Sequence, residues 1–573
     1  MRTPLIRWMS ALLITLVLVP QMLPAEETEV PPAVEFTDEV NVTIANIDVY
    51  VRDREGNPVT GLGRDDFVLT MNGVRQEISH FAALTEEVIE SRLEPGVPGA
   101  VPAPASEDFG DGREVSEVIR PTWVVLYIDN ENLHPIDRTR VVRRVREFVA
   151  ENLKPPVQMM VVAYQGSLKV IQDFTDDPRA VNQSLRSLSK YSGGWISRES
   201  ARAELVNEMR EVVSSDHGRD TETRGKKERM YQQIMGLARE EADSLSRSLV
   251  ALRHTIETLS GLHGRKALIY VSNGLPMTPG LGLMHEYAAV FHDNTIMAAR
   301  SRFDQQRQYR SLTSLASGQE VIIHTLSAEG LDVSFGGDAS SAYGVDPTAS
   351  QVGASNFLGS MRFMANQTGG IAIVNTNDPT EGLIKIRDDL FTFYSLGFRV
   401  GTTHEDRIHK IQVELPGVRG VDVRYRKRFV EKSLETRIQD RVMTALVIDL
   451  DDNPMNLRVT RGATAPATDE RWTVPVEISV PYEELTMVPE GDDLVAHLVL
   501  YVGARSSDGR QSDVQRQIHE VRAPAAARDS WQDGRFTITA QFLMKEGSHQ
   551  VVVGLLDSLP RQASYATVNL SVP

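Results

Sequence analysis

The sequence predicts an α/β protein with a doubly wound parallel sheet and helices on both faces, flanked by a small N-terminal β module and a C-terminal β-sandwich. Continuous apolar runs at residues 122–128, 266–272 and 321–326 are typical of strands that helices cover on both sides. Leucines and an isoleucine at helical spacing, from Leu245 to Leu259, lie between the first two of these runs. Because strands alternate with helices, a mostly parallel sheet is expected.

Composition excludes several functional classes. The chain has 573 residues, 61 basic and 78 acidic side chains, a net charge of −17 and no cysteine. At roughly 150 residues per domain, this length suggests about three or four folding units. Without cysteine the chain forms neither a disulfide framework nor a thiolate-ligated metal centre. The acidic balance argues against nucleic-acid binding, which needs a basic surface.

Changes in pattern divide the chain into consecutive segments. They are a signal peptide at 1–25, an N-terminal β module at 35–84, an acidic Pro/Gly-rich linker at 85–119, an α/β domain at 120–430 with insertions near 198–240 and 330–356, and a C-terminal β-sandwich at 436–573. In the first module, Asn72 and Gly73 predict a tight hairpin because both residues tolerate positive φ. Both insertions lack periodicity over long stretches, so we expect them to be loops.

Strand-like patterns also follow one another without helices. Between residues 391 and 430 they predict an antiparallel extension along the edge of the parallel sheet. Short strands in the C-terminal segment predict a sandwich of immunoglobulin-like type. These strands lie at 442–448, 472–480, 494–502, 536–542 and 549–556.

The N-terminus has the three parts of a secretory signal. Arg2 and Arg7 are basic, residues 11–20 are apolar, and residues 23–25 end in alanine. A membrane anchor is the alternative, but the uncharged run at 8–25 contains two prolines and is shorter than the roughly 20 apolar residues of a span. We therefore expect an extracytoplasmic protein, secreted or periplasmic, with no membrane span after signal cleavage.

Polar residues with the chemistry of a binding site follow the predicted strands. In an open parallel sheet, ligands bind at the loops after the carboxyl ends of the strands. Asp129 and Glu131 follow the first such strand, and Asn273 follows the strand at 266–272. Ser197 ends a glycine-containing loop with the sequence SGGWIS. An aspartate at the end of a buried strand either binds a ligand or caps the following helix.

Longer motifs resemble one protein family. Residues 49–67 (VYVRD, GNPV and GLGRDDF), 364–377 (MANQTGG and NTN) and 394–427 (YSLGF, HKIQV and VRYRK) are similar to motifs of the von Willebrand factor type A-related proteins of the acidobacterial type. The resemblance covers residues 40–430. It implies a Rossmann-like von Willebrand factor A fold in an extracytoplasmic protein with a binding role.

The same resemblance implies a degenerate metal-ion-dependent adhesion site. In that family, an Asp-x-Ser-x-Ser motif, a threonine loop and a later Asp-Gly hold a divalent cation, which an acidic group of the partner completes. Asp129 matches the first aspartate, whereas Glu131 and Leu133 replace the serines and Asn273 replaces the second aspartate. Asp129, Glu131, Ser197 and Asn273 are then the candidate ligands for Mg²⁺ or Ca²⁺. The alternative, which we favour, is that Asp129 caps the following helix or hydrogen-bonds the neighbouring loop, and that no cofactor binds.

Two functional hypotheses follow, since the sequence contains no His-Glu-x-x-His zinc motif, no Gly-x-Ser-x-Gly elbow and no phosphate-binding glycine loop. The first is a non-enzymatic binding protein of adhesion type. Its partner is a protein or a cell-surface polymer, and its contact face is formed by the loops at 129–133, 193–197 and 273–277 and the insertion at 330–356. The second is an extracytoplasmic hydrolase that uses the carboxylates of Asp129 and Glu131.

Overall fold

The structure, a computed structural model, describes residues 42–93, 121–188, 194–214, 220–330, 347–401, 406–450, 452–468, 470–528 and 533–573. The signal peptide predicted at 1–25 lies outside the described residues. So do residues 94–119 of the predicted linker and residues 331–346 of the second insertion.

The elements follow one another in chain order. The N-terminal part contains β1 (Val42–Arg52), β2 (Val68–Met71), β3 (Val74–Gln76), β4 (Ile78–Leu84) and α1 (Glu86–Leu93). The next strands are β5 (Thr122–Asp129), β6 (Val157–Tyr164), β7 (Leu168–Thr175), β8 (Arg265–Ser272), β9 (Val321–Ser327) and β10 (Ala372–Ile373). The helices among them are α2 (Pro135–Asn152), α3 (Pro178–Ser187), α4 (Trp195–Ser214), α5 (Asp220–Thr258), α6 (Leu281–Phe291), α7 (Arg300–Phe303), α8 (Gln306–Gly318), α9 (Pro347–Thr368) and α10 (Thr380–Phe391).

The remaining elements are nearly all strands. They begin with β11 (Phe393–Gly401), β12 (Arg407–Glu414), β13 (Asp422–Tyr425), β14 (Arg428–Glu431) and α11 (Leu434–Ala445). The C-terminal strands are β15 (Arg458–Arg461), β16 (Ala465–Thr468), β17 (Arg471–Pro481), β18 (Val488–Glu490), β19 (Asp493–Ser506), β20 (Gln515–Pro524), β21 (Arg535–Met544), β22 (Gly547–Asp557) and β23 (Gln562–Val572).

Strands β5 to β10 form one six-stranded sheet in the order β10-β9-β8-β5-β6-β7. Its neighbouring strands are parallel except for the β6–β7 pair, which is antiparallel. Alternate residues of β5 point to opposite faces: Val124 and Leu126 pack with α2, α3 and α10, whereas Val125 and Tyr127 pack with α5, α8 and α9. The predicted parallel sheet with helices on both faces is confirmed.

The strand order places a crevice at the carboxyl end of β5. The chain passes from β5 to β6 on one side, while β8 borders β5 on the other side. The loops after β5 and β8 therefore diverge, which is the arrangement that creates ligand crevices in open α/β sheets. We call this carboxyl-end edge of the sheet the rim.

The predicted antiparallel extension along the parallel sheet is wrong. Strands β11 to β14 instead pair with the N-terminal strands, in two four-stranded sheets ordered β13-β1-β11-β4 and β14-β12-β2-β3. Their core includes Ile47 and Val49 from β1 and Leu396 and Phe398 from β11. The apolar face of β11 needs another apolar sheet to pack against. The edge strand of the parallel sheet, β10, has only two residues and cannot provide one. The module predicted at 35–84 thus supplies half of a sandwich that distant strands complete.

The predicted loop insertions are largely helical. Helices α4 and α5 occupy most of the first insertion, and α9 occupies the described part of the second. Met209, Ile234 and Met284 form part of a core shared by α4, α5 and α6. The many charged residues hide this apolar spacing, because they cover the outward faces of long helices. The predicted linker likewise begins with α1, whose Ile89 is buried.

The C-terminal strands form two antiparallel sheets that enclose a common apolar core, as expected for a β-sandwich. The strand predicted at 442–448 is wrong, because residues 434–445 form helix α11. Ser433 caps this helix through the backbone N–H of Thr436, and Ile438 and Val442 pack on the outer face of the sheet. Helical spacing therefore overrides the short apolar run.

No helix within the described ranges is long and apolar enough to cross a bilayer.

Candidate functional site at the rim

Asp129 ends β5 at the rim and is fully buried. Its carboxylate accepts hydrogen bonds from Tyr270 Oη (2.5 Å), Asn132 Nδ2 (2.9 Å) and the backbone N–H of Asn132 (3.3 Å). The last contact caps the short 3₁₀ turn that leads from β5 towards α2. Asp129 thus hydrogen-bonds the neighbouring loop, one of the two structural roles expected, whereas the N-cap of α2 itself is His134.

A group of tyrosines surrounds the Asp129 carboxylate from the α5 side of the sheet. Tyr127 and Tyr270 lie on neighbouring strands with ring centroids 5.7 Å apart, and the hydroxyl of Tyr127 has no hydrogen-bond partner among the described residues. Burial raises the pKa of Asp129 from 3.8 to about 6, although the hydrogen bonds from Tyr270 and Asn132 oppose the shift. Burial and the nearby Asp129 also raise the pKa values of both tyrosines.

Glu131 is held by an arginine from α4. Arg198 Nη1 donates to Glu131 Oε1 at 2.9 Å, and Nη2 donates to the Glu131 carbonyl at 2.6 Å and to Asn132 Oδ1 at 3.0 Å. A Cβ atom added to Gly194 would clash with Glu131 Oε1, so a larger residue there would require the Glu131 carboxylate to move. The arginine fixes the loop after β5 to the start of α4.

Asn273 joins the loop after β8 to the start of α2. Its Oδ1 accepts from the backbone N–H of His134 at 3.2 Å, and its Nδ2 donates to Asp137 Oδ2 at 2.9 Å. Asp137 also accepts from Arg140 at 2.9 Å. Both polar ends of the Asn273 side chain are therefore used within the protein.

The predicted metal ligands do not assemble as a cation site. Asp129, Glu131 and Asn273 lie in adjoining loops, but their oxygens accept hydrogen bonds from protein donors. Ser197 is exposed in the first turn of α4, and residues 192 and 193 of its loop lie outside the described residues. Within the described ranges, no three His, Asp or Glu side chains form a group that could hold a metal ion. These side chains do not fit a divalent cation, because such an ion prefers several oxygen ligands that are free of other partners.

Three residues that shape this site were not predicted from the sequence. In the sequence, Tyr270 is one residue of a buried strand and nothing marks it as part of a site. In the structure, the parallel register of β5 and β8 places it beside Tyr127, on the face that carries Asp129. Asn132 and Arg198 carry no pattern that marks them, because their role depends on the approach of α4 to the loop after β5.

An apolar patch lies beside these polar contacts. The rings of His134 and Trp195 meet edge to face with centroids 4.6 Å apart, which brings the starts of α2 and α4 together. Next to them, Ile136 and Ile196 are 70% and 52% exposed. We call His134, Ile136, Trp195 and Ile196 the rim patch.

The sequence matches no protein-family model and no curated protein. Among solved structures, the chain is similar to the conserved hypothetical protein BatB from Bacteroides thetaiotaomicron, with 11% identity, 47% of this chain and 97% of that chain covered, and a TM-score of 0.22. The vWF domain of the type V pili tip protein Mfa5 from Porphyromonas gingivalis gives 13% identity, 48% and 96% coverage and a TM-score of 0.24. The manganese-loaded TRAP protein of Plasmodium vivax is 8% identical, with 53% of this chain and 92% of that chain covered and a TM-score of 0.19. At these scores, the fold assignment rests on strand order and packing, and the function on the site.

Proposed function

We propose that this chain is an extracytoplasmic, non-enzymatic binding protein of adhesion type, with a von Willebrand factor A-like sheet whose rim contacts a partner protein. The observation that carries the proposal is the rim patch, where two exposed isoleucines flank the His134–Trp195 ring pair. Aromatic residues and exposed aliphatic residues on a rigid base are typical of protein interfaces. Export rests on the signal peptide predicted at residues 1–25.

The base of the rim patch supports this function because it is rigid. Arg198 ties the start of α4 to Glu131, and Asn273 ties the start of α2 to the loop after β8. A preorganised surface loses little conformational entropy when a partner binds. The polar residues of the rim therefore act as supports for the patch rather than as ligands for a cation.

One observation favours the alternative hydrolase. The raised pKa of Asp129, about 6, is a property of carboxylates that act as general acids. A general acid must contact its substrate, whereas Asp129 is fully buried and donor groups already occupy its oxygens. Glu131 is ion-paired with Arg198 at 2.9 Å. Binding without catalysis is therefore the better-supported function.

The binding test compares variants of the rim patch. The double variant Ile136→Asp/Ile196→Asp puts charge on the patch, and Asp is favourable in the first turn of a helix. Ile384→Asp is the matched control, because Ile384 is 45% exposed in the first half of α10. We expect immobilised wild type and I384D to capture the same envelope protein, and the double variant to lose at least 10-fold in affinity for it. Equal capture by all three proteins would rule out the rim patch.

A metal titration tests the cation site independently. Mg²⁺, Ca²⁺ or Mn²⁺ at millimolar concentration should leave the melting temperature unchanged, since a ligand that binds only the folded state raises it. Asp129→Asn serves as the control. A rise in melting temperature for the wild type that D129N lacks would restore Asp129 as a metal ligand.

A further inference from the structure

A second candidate site lies at the opposite end of the sheet from the rim. A cavity of about 850 Å³ opens where the amino ends of β8 and β9 meet the N-terminal sandwich and α11. Small-molecule sites typically have volumes of roughly 300–1,000 Å³. Residues from distant parts of the chain line it, among them Ile89, Phe393 and Phe429 as apolar walls.

The cavity is more positive than the protein as a whole. Eight arginine or lysine residues line it, against five aspartate or glutamate residues, whereas the whole chain has a net charge of −17. Several of these cations have partners within the cavity wall: Arg426 lies 2.8 Å from Glu320, and Lys432 lies 2.5 Å from Asp440. The local excess of positive charge favours an anion.

Lys266, at the start of β8, is the cation whose environment is unusual. Its side chain is buried, with the residue only 5% exposed, and Nζ donates one hydrogen bond, to the carbonyl of Leu262 at 2.9 Å. No carboxylate of the described residues forms an ion pair with it. Burial lowers the pKa of Lys266 to about 8, so the ammonium form still predominates at pH 7. A buried ammonium with unused donors is costly unless a further acceptor binds it.

We propose that this cavity binds a small organic anion, with a carboxylate or phosphate head on Lys266 and an apolar body against Phe429. Both head groups offer oxygens that accept hydrogen bonds from an ammonium group. The site does not depend on the rim patch, because it lies at the other end of the parallel strands.

A series of eight-carbon ligands tests the proposal on the full chain by calorimetry at pH 7. Octanoate and octyl phosphate carry anionic heads, whereas octanol and octylamine carry a neutral and a cationic head on the same tail. We expect both or one of the anions to bind at least 10-fold more tightly than octanol and octylamine, and the tighter anion identifies the head group. Equal affinity for all four ligands, or no binding of either anion, would overturn the proposal.

Variants of the wall assign the head group to its donor. Lys266→Met should weaken anion binding at least 10-fold, whereas the control Lys545→Met, exposed on the C-terminal sandwich, should not change it. Glu320→Gln removes a carboxylate beside Arg426 and should tighten anion binding several-fold. This opposite shift stays decisive if K266M does not fold. Unchanged affinity in E320Q, or in a folded K266M, would contradict the assignment.

Discussion

Asp129 is a buried carboxylate with a structural role, although it lies where α/β proteins commonly bind their ligands. It stands at the carboxyl end of a central strand, where ligands of α/β proteins bind. Yet Tyr270 and Asn132 satisfy it from within the protein. A buried aspartate with good donors is stable, but its charged form remains less favourable than in water, which is the origin of its raised pKa.

This raised pKa predicts a pH-dependent stability. The folded state binds the Asp129 proton more tightly than the unfolded chain, so this contribution to the free energy of unfolding is full below about pH 4 and is lost as the pH rises through about 6. In the Asp129→Asn variant the side chain cannot ionise, so the free energy of unfolding does not contain this pH-dependent loss. The difference in unfolding free energy between D129N and wild type should therefore shift by about 2 kcal/mol in favour of D129N from pH 4 to pH 7. Urea titrations at both pH values measure it, and a constant difference would contradict the buried, ionisable state.

One ion pair lies within the group of helices α4, α5 and α6. Arg210 of α4 lies 3.0 Å from Glu286 of α6, and Glu286 is only 4% exposed. Their neighbours in sequence, Met209 and Tyr287, belong to the apolar core that these helices share. In such surroundings the carboxylate depends on its partner, because an unpaired buried charge is strongly unfavourable.

Arg210→Met should therefore lower the free energy of unfolding by about 3 kcal/mol. The double variant Arg210→Met/Glu286→Met should recover most of the loss, since it removes the unpaired carboxylate as well. Denaturant unfolding of wild type, single and double variants measures both effects. If the double variant is as unstable as R210M, the loss reflects packing of the arginine stem rather than the charge.

Strands that are far apart in the chain pair with one another in the folded molecule. Strand β11 lies between β1 and β4, so the first described strands and residues 393–431 fold as one sandwich. The α/β sheet is thus inserted between the two halves of that sandwich. Arg265, at the start of β8, connects the two units, with hydrogen bonds to Asp48 (2.9 Å) and Tyr50 (2.7 Å).

Fragments test this connectivity. A fragment of residues 120–430 retains β11 but lacks both of its partners, which exposes the edges of a strand whose Leu396 and Phe398 are buried in the intact protein. We expect this fragment to aggregate, whereas residues 42–432 should be soluble and unfold cooperatively. Residues 120–391, which lack β11 to β14, are the control and should be more soluble than 120–430. Sedimentation measures all three, and a soluble, folded 120–430 fragment would contradict the paired sandwich.

Local patterns in the sequence were enough to predict the parallel sheet, its two helical layers, the hairpin at Asn72 and Gly73, and the position of Asp129 at a strand end. Each of these depends on residues within one or two neighbouring elements, and periodicity reports directly which face of an element is buried. Asn72 and Gly73, for instance, have φ values of 52° and 83°, as the hairpin requires.

The partner of a buried face, by contrast, depends on the whole chain. Strand β11 has the same alternation whether it joins the parallel sheet or β1, and its choice follows from which apolar sheet it can face. The donors on Asp129, the rim patch and the cavity beside Lys266 likewise combine side chains from separate elements. Their roles arise from packing and charge between segments that only the folded chain brings together.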